Sequence, residues 1–424
     1  MKQIFMSALF LTAVVLNAQE IQEISTGQGY NKQSYINLVA GSQFQVANTA
    51  WDIAFTVAPE DAGVFINESV GSASGALPIQ AFYTYSDDFN LLPDSTFFEQ
   101  YPLLNRESSW SYGAINEFRD GGDPFNFGWG TYNPVTQEIN GIYVYVIERR
   151  DGSYLKFQIQ SLINGVYTFR YANMDGSSEV TKTISKADHA GKILAYFSFD
   201  TGETVDVEPA GGFDLLFLRY TTLLEAQGDT IPYLVTGILS AKGIEVAQAD
   251  NVDPDSVQFQ EYADSLSSNP EIIGHDWKTF DLGNFVWILP DDLVYFVKTR
   301  DEHIWKLQFV EFEGSSTGTA VVEKTDLGIF TAVEDPLSPL SEFNVYPNPA
   351  INEVNVLYSL KNHSSAMVKL QILDTSGRLV DQYTTRAEEG LNVFTIQRDN
   401  LISATYFIRL MVGEQFFTRS IQIK

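Results

Sequence analysis

Tyr35-Ile36-Asn37-Leu38-Val39-Ala40-Gly41, followed by Trp51-Asp52-Ile53-Ala54-Phe55, returns later in the chain as Tyr196-Phe197-Ser198-Phe199-Asp200-Thr201-Gly202 followed by Phe213-Asp214-Leu215-Leu216-Phe217. Each copy reads as a strand, a glycine-containing turn, a second strand, and an apolar run opened by aromatic-Asp. A second pair of stretches agrees. Tyr145–Ile159 aligns with Tyr295–Phe309 at a constant offset of 150 residues, placing Arg150-Asp151 on Arg300-Asp301 and Lys156-Phe157-Gln158 on Lys306-Leu307-Gln308. The body therefore reads as a tandem duplication.

Around these anchors the pattern is one of short strands. Tyr143–Ile147 and Tyr154–Ile159 flank Asp151-Gly152, a hairpin signal because glycine takes positive φ without a steric penalty. Val166–Tyr171 adds a third strand. In the later copy the hairpin tip is Asp301-Glu302-His303, and Trp277-Lys278-Thr279-Phe280 answers Trp129-Gly130-Thr131-Tyr132. The first repeat spans 22–180 and the second 192–330. Residues 333–342, with two prolines and small polar residues, read as an extended linker. Residues 343–424 alternate apolar and polar residues in short runs such as Val354–Tyr358 and Tyr406–Leu410, the pattern of a small antiparallel sandwich. The fold class is all-β: two tandem, mostly antiparallel domains plus a small C-terminal β-sandwich.

A chain of 424 residues exceeds one ordinary core. Its 21 Tyr and 30 Phe suit strands. The net charge of -28 repels phosphate backbones, so nucleic acid is excluded as a partner. That charge is uneven: residues 343–424 carry 8 Lys+Arg and 7 Asp+Glu, so the excess of acid lies in the body. Residues 1–18 read as a signal peptide, with Lys2, an apolar stretch Ile4–Leu16 and a small residue at Ala18. No later stretch is long and apolar enough to be a transmembrane segment. With no cysteine, the chain has no disulfide, thiol nucleophile or acylated lipoprotein cysteine.

Two resemblances add to this reading. The tail resembles the C-terminal sorting domain of type IX secretion cargo from Bacteroidota. The matching residues are Tyr346-Pro347-Asn348-Pro349, the turn Asp374–Val380 with Gly377, then Gly390-Leu391-Asn392, and Tyr406–Leu410 near the end. Ala404-Thr405-Tyr406 departs from the pattern, which has a glycine just before the tyrosine. The resemblance implies engagement of the type IX secretion machinery, removal of the domain, and release or attachment at the outer-membrane surface. The repeats resemble the HmuY family of secreted haem-capturing proteins, through Trp51–Phe55 and Tyr154–Ile159 in one and Tyr196–Phe199, Phe213-Asp214, Trp277…Phe280 and Trp305–Phe309 in the other. That resemblance implies a haem- or porphyrin-like extracellular ligand. The family's axial-ligand position falls here on Pro134 and Leu282, neither of which coordinates iron, and His275 is the histidine nearest the implied pocket. Trp129, Tyr132, Trp277 and Phe280 are the aromatics beside it, as pocket walls or as core.

No catalytic motif appears, and carboxylates are too numerous to nominate an acid–base pair. Asp250, Asp253 and Asp255 lack the glycine and distal glutamate of a calcium loop. His189 and His303 sit in a connector and at a hairpin tip. No residue pattern fixes a metal or cofactor. The expected protein is not an enzyme. It is an exported cargo that binds a small extracellular ligand, porphyrin or sugar, or alternatively a structural or adhesive surface protein whose repeats serve as spacers and contacts.

Overall fold

The structure is a computed structural model that describes residues 19–72, 75–91, 102–226, 228–329, 340–375, 377–398, 401–413 and 415–424. The expected signal peptide and most of the expected linker lie outside the described residues. Two compact units divide the chain, 1–330 and 331–424. Among the described residues there are strands and short 3-10 turns but no α-helix, and every named strand pairing is antiparallel.

The body holds two large sheets, each built on one of the hairpins expected from the sequence. One large sheet runs in the order Val180–Ser185, Val166–Asn173, Tyr154–Ile163, Tyr145–Glu148, Gln80–Tyr83 and Pro102–Leu103. Its counterpart runs Gln19–Ser25, Thr319–Ile329, His303–Phe312, Val294–Lys298 and Glu245–Ala249. The predicted hairpins form in the same register, Tyr145 opposite Phe157 and Tyr295 opposite Leu307. Gly152 takes the turn at φ 79°; in the other hairpin Glu302 takes φ 66°.

The pairing does not respect the boundaries 22–180 and 192–330. The opening hairpin, Lys32–Asn37 with Ser42–Ala47, adds to Leu215–Ala226 of the later copy, pairing Tyr35 with Leu216 and Ile36 with Leu215. The later hairpin, Leu194–Ser198 with Glu203–Val205, adds to Ile53–Thr56 of the earlier copy, pairing Tyr196 with Ala54 and Phe197 with Ile53. Gln19–Ser25 likewise closes the far sheet against Thr319–Ile329. The sheets thus group residues 51–206 into one half, and 19–48 with 207–329 into the other.

Aromatic-Asp explains the docking. The Asp52 amide donates to the Phe197 carbonyl (2.9 Å), and its carboxylate accepts from the Phe199 amide (2.7 Å). Asp214 does the same with Ile36 (2.8 Å) and Leu38 (2.8 Å). Each hairpin is gripped at its turn by the aspartate of the other copy, and the contacts are reciprocal, as in an isologous interface. Tyr196 packs edge-on against Trp51 at 5.1 Å and Tyr35 against Phe213 at 4.8 Å. The two tyrosines meet in the middle, where the Tyr35 hydroxyl donates to that of Tyr196 at 3.3 Å. One large core fills each half, with Phe157, Phe169 and Trp129 in one and Phe217, Trp277 and Phe309 in the other.

The tail unit is a single five-stranded sheet built on a long bent hairpin, Glu353–Asp374 with Leu379–Gln397. Register shifts between Ser359 and Ser365 bend it, so the expected layers are parts of one curled sheet. Its first strand, Leu340–Tyr346, starts inside the span expected as linker, so strand pairing begins at Leu340.

Candidate functional site

The aromatics singled out from the sequence do not converge. Trp129 is fully buried and its indole donates to the Ala62 carbonyl at 2.8 Å. Trp277 is equally buried, stacked on Phe309 at 4.3 Å with the Lys278 ammonium over its ring. Both are core. Tyr132 is half-buried against Phe125, and Phe280 lies on the exposed two-stranded hairpin Thr279–Asp281 and Val286–Ile288, beside Trp287. His275 is half-buried, and burial lowers its pKa.

The cleft that does form lies where the halves meet, outside the predicted set. The segment Pro102–Ser108 of one half runs beside Thr221–Leu223 and Glu271 of the other, enclosing about 510 Å³. One part of its lining is aromatic. Tyr83 meets Tyr85 at 4.4 Å and Phe118 at 4.5 Å, and Tyr85 and Phe118 remain largely exposed. Another part is acidic. The buried Thr222 hydroxyl lies 2.8 Å from Glu107 and 3.4 Å from Glu271. One hydroxyl carries one proton, so it satisfies one carboxylate at a time. Burial, then the charge of Glu107, pushes the Glu271 carboxyl up to about 7. Arg106 is held by Glu117 at 2.7 Å.

Adjoining the cleft, and sharing Asn105, Arg106, Glu107 and Thr221 with it, is an inner cavity of about 70 Å³. Glu68 lines it, accepting from the amides of Asn105 (3.0 Å) and Thr221 (3.2 Å), yet burial still raises its carboxyl to about 7. Tyr220 lines it too. Its side chain is 95 % buried, its hydroxyl has no hydrogen-bond partner, and burial and then Glu271 and Glu107 raise its pKa. A more open depression of about 830 Å³ carries Lys186, Lys192, Lys242 and Arg300, but these cations are engaged. Lys186 sits 2.6 Å from the Ala58 and Asp61 carbonyls, Lys242 is 2.6 Å from Asp61, Lys192 meets Asp206, and Arg300 binds the carbonyls of Lys242 and Phe213.

Tyr83 and Tyr85 belong to a local aromatic run, Phe82-Tyr83-Thr84-Tyr85, which by itself indicates a strand and no site. Glu68, Glu107, Tyr220, Thr222 and Glu271 carried no signal. They come from four separate stretches, which meet only where the two halves pack together.

The tail has its own site. Asn348 accepts from the Gln422 amide at 2.9 Å and donates to the Ser420 carbonyl at 3.2 Å, clasping the last strand beside the first. Gly377 takes φ 81° in the hairpin turn, where the Arg378 amide donates to Asp374 at 3.0 Å. Residues 344–424 match the secretion system C-terminal sorting domain. The tail is a type IX sorting domain. A type IX sorting domain implies contact with the type IX secretion machinery and export to the outer-membrane surface or beyond. No curated protein matches the chain. Among solved structures, dimeric latent PorU from Porphyromonas gingivalis is similar at 8 % identity and a TM-score of 0.20, over 96 % of this chain and 34 % of that one. A GH31 alpha-xylosidase from Xanthomonas citri is similar at 11 % and 0.10, over 64 % and 35 %. Likenesses this slight carry no argument about the body.

Proposed function

We propose that the exported protein is a non-enzymatic binding cargo whose body captures a small extracellular ligand in the cleft between its halves. The observation that carries this is the cleft itself: aromatic faces and two carboxylates that share one hydroxyl line one concavity of about 510 Å³, within the range of small-ligand sites. The HmuY-like resemblance supports the same class of function. Its haem form lacks iron ligands here, with Pro134 and Leu282 at the expected axial position and Trp129 and Trp277 consumed by the cores. Haemin added to the mature protein is expected to give no low-spin, six-coordinate spectrum; sharp bis-histidine bands would restore haem capture.

The cleft reading is tested by screening small ligands against the mature protein by calorimetry, alongside Ser108→Trp, which fills the cleft from an exposed position. Binding that survives this variant at unchanged affinity refutes the cleft. The adhesive alternative has one observation in its favour, the exposed Leu282, Phe285 and Ile288 on the small hairpin. Loss of surface attachment in a Leu282→Ser, Phe285→Ser variant would favour it.

A further inference from the structure

The geometry points to a small organic ammonium ion with an apolar or aromatic body as the ligand of this cleft, its charge held by Glu107 and Glu271 and its body by Tyr83, Tyr85 and Phe118. The inference rests on the cleft being the binding site and names the ligand's class.

Acceptors outnumber donors at the acidic end. Glu107 and Glu271 both reach for the single Thr222 proton, at 2.8 and 3.4 Å. The charges acting on Glu271 are those of Glu107 and Asp276, both negative. Of the nearby cations, Arg106 lines the cleft but pairs there with a third carboxylate, Glu117, and Lys278 is held by the carbonyls of Thr236 (2.6 Å) and His275 (3.2 Å). Tyr220 is an independent observation. It is nine-tenths buried, lines the small cavity beside the cleft that Glu107 also lines, and its hydroxyl has no partner there, with Glu271 and Glu107 as its nearest charges. A buried polar group normally has a partner, so a missing one marks the place of a bound donor or water. A ligand ammonium presents three donors and one positive charge, which is what two carboxylates and a phenol oxygen lack.

The aromatic end discriminates further. Tyr83, Tyr85 and Phe118 form a cluster with ring centroids 4.4 to 6.3 Å apart, two of them exposed to the cleft's solvent. Aromatic faces attract cations and apolar bodies together. A bare divalent metal ion uses no aromatic wall. Among the described residues, no three His, Asp or Glu side chains come together as a metal cage. An anionic ligand is repelled by the carboxylate pair.

The test uses the mature full-length protein and isothermal titration with 2-phenylethylammonium, its neutral isostere 2-phenylethanol, methyl glucoside and calcium chloride. The ammonium is expected to bind, with the alcohol about tenfold weaker or worse. Glu107→Gln and Glu271→Gln are each expected to weaken the ammonium about 10- to 100-fold, the range for losing a hydrogen bond to a charged group. Tyr220→Phe keeps the ring and should weaken it several-fold, and melting curves of each variant check the fold. Equal binding of the ammonium and the alcohol, or ammonium binding indifferent to both glutamines, overturns the proposal. So does absence of ammonium binding at millimolar concentration. If the glucoside or calcium binds instead and Ser108→Trp abolishes it, the ammonium class falls while the cleft survives; if that binding ignores Ser108→Trp, both fall.

Discussion

Asp52 and Asp214 show how much one side chain organises here. Asp52 is buried, accepts the Phe199 amide and lies 3.5 Å from the largely buried Arg150. Burial raises the pKa of Asp52 and lowers that of Arg150, so the pair is costly to bury and its value is positional. Removing the aspartate alone orphans the Phe199 amide and leaves the guanidinium with the carbonyls of Asn48, Trp51 and Ser69 but no counter-charge within the pair. Asp52→Ala is expected to cost about 3 kcal/mol in urea unfolding, and Asp214→Ala, which orphans the Leu38 amide, about 1–3 kcal/mol. A loss below 0.5 kcal/mol at both would show that neither grips its hairpin. Glu302 is the opposite case. It holds φ 66° where its counterpart is Gly152, and its ion pair with Lys298 is half exposed and worth little. Glu302→Gly should raise stability by about 0.5–1 kcal/mol, read as a higher melting temperature.

At the scale of elements, the hairpin exchange changes which fragments can fold. Residues 51–206 contain a complete set of sheets, whereas 192–330 lack the strands Gln19–Ser25, Lys32–Asn37 and Ser42–Ala47 that close theirs. Expressed alone, 51–206 should unfold cooperatively and 192–330 should not. Supplying 19–48 on the C-terminal side of 329 by circular permutation should restore a cooperative body. A cooperative transition from 192–330 alone would overturn the exchange. The hairpins at 143–159 and 293–309 were legible because a local turn and alternating side chains fix them. The partner of each opening hairpin was not, because both carry the same alternation and fit either groove. Loop closure hardly discriminates: lengthening the loop from about 20 to about 180 residues costs only about 2 kcal/mol. Side-chain fit then decides, through Trp51 on Tyr196 and Phe213 on Tyr35.

The whole molecule couples its stability to pH through groups the halves bury. Glu68, Glu208 and Glu271 are raised to about 7 from an ordinary 4.5, burial being the largest cause in each. Folded, they keep protons that the unfolded chain releases, so they favour folding below pH 4.5 and lose that contribution as pH rises to about 7. Lys278 and Lys186 are lowered by burial to about 7 and about 8 from 10.5. Across that interval the unfolded chain binds more protons, so their contribution grows as pH rises. Together these groups place a trough in stability near neutrality. Melting temperatures across pH 5 to 10 should show Glu68→Gln flattening the acidic limb and Lys278→Met the alkaline limb; parallel curves for wild type and variants would refute the assignment. The tail adds a prediction at the same scale. Because 331–424 is a compact unit with its own core, deleting 344–424 should leave the body folded but no longer exported past the outer membrane. A truncated protein that still reaches the medium would mean that the body carries its own address.

The sequence alone determined what depends on local chemistry. Alternating aromatics and β-branched residues dictated strands, Asp-Gly and its like dictated turns, and the Tyr346–Pro349 and Gly377 motifs identified the sorting tail. Those signals are local because strand alternation and turn dihedrals are settled within a few residues. Tertiary structure alone decided which hairpin closes which half, that Trp129 and Trp277 are core, and which few of 54 carboxylates lose their water. Burial is a property of what packs over a residue, and for Glu68 and Glu271 the covering segments are dozens to more than a hundred positions away in the chain. A glutamate's pKa and its need for a partner follow from that covering, which no neighbouring residue in the sequence encodes.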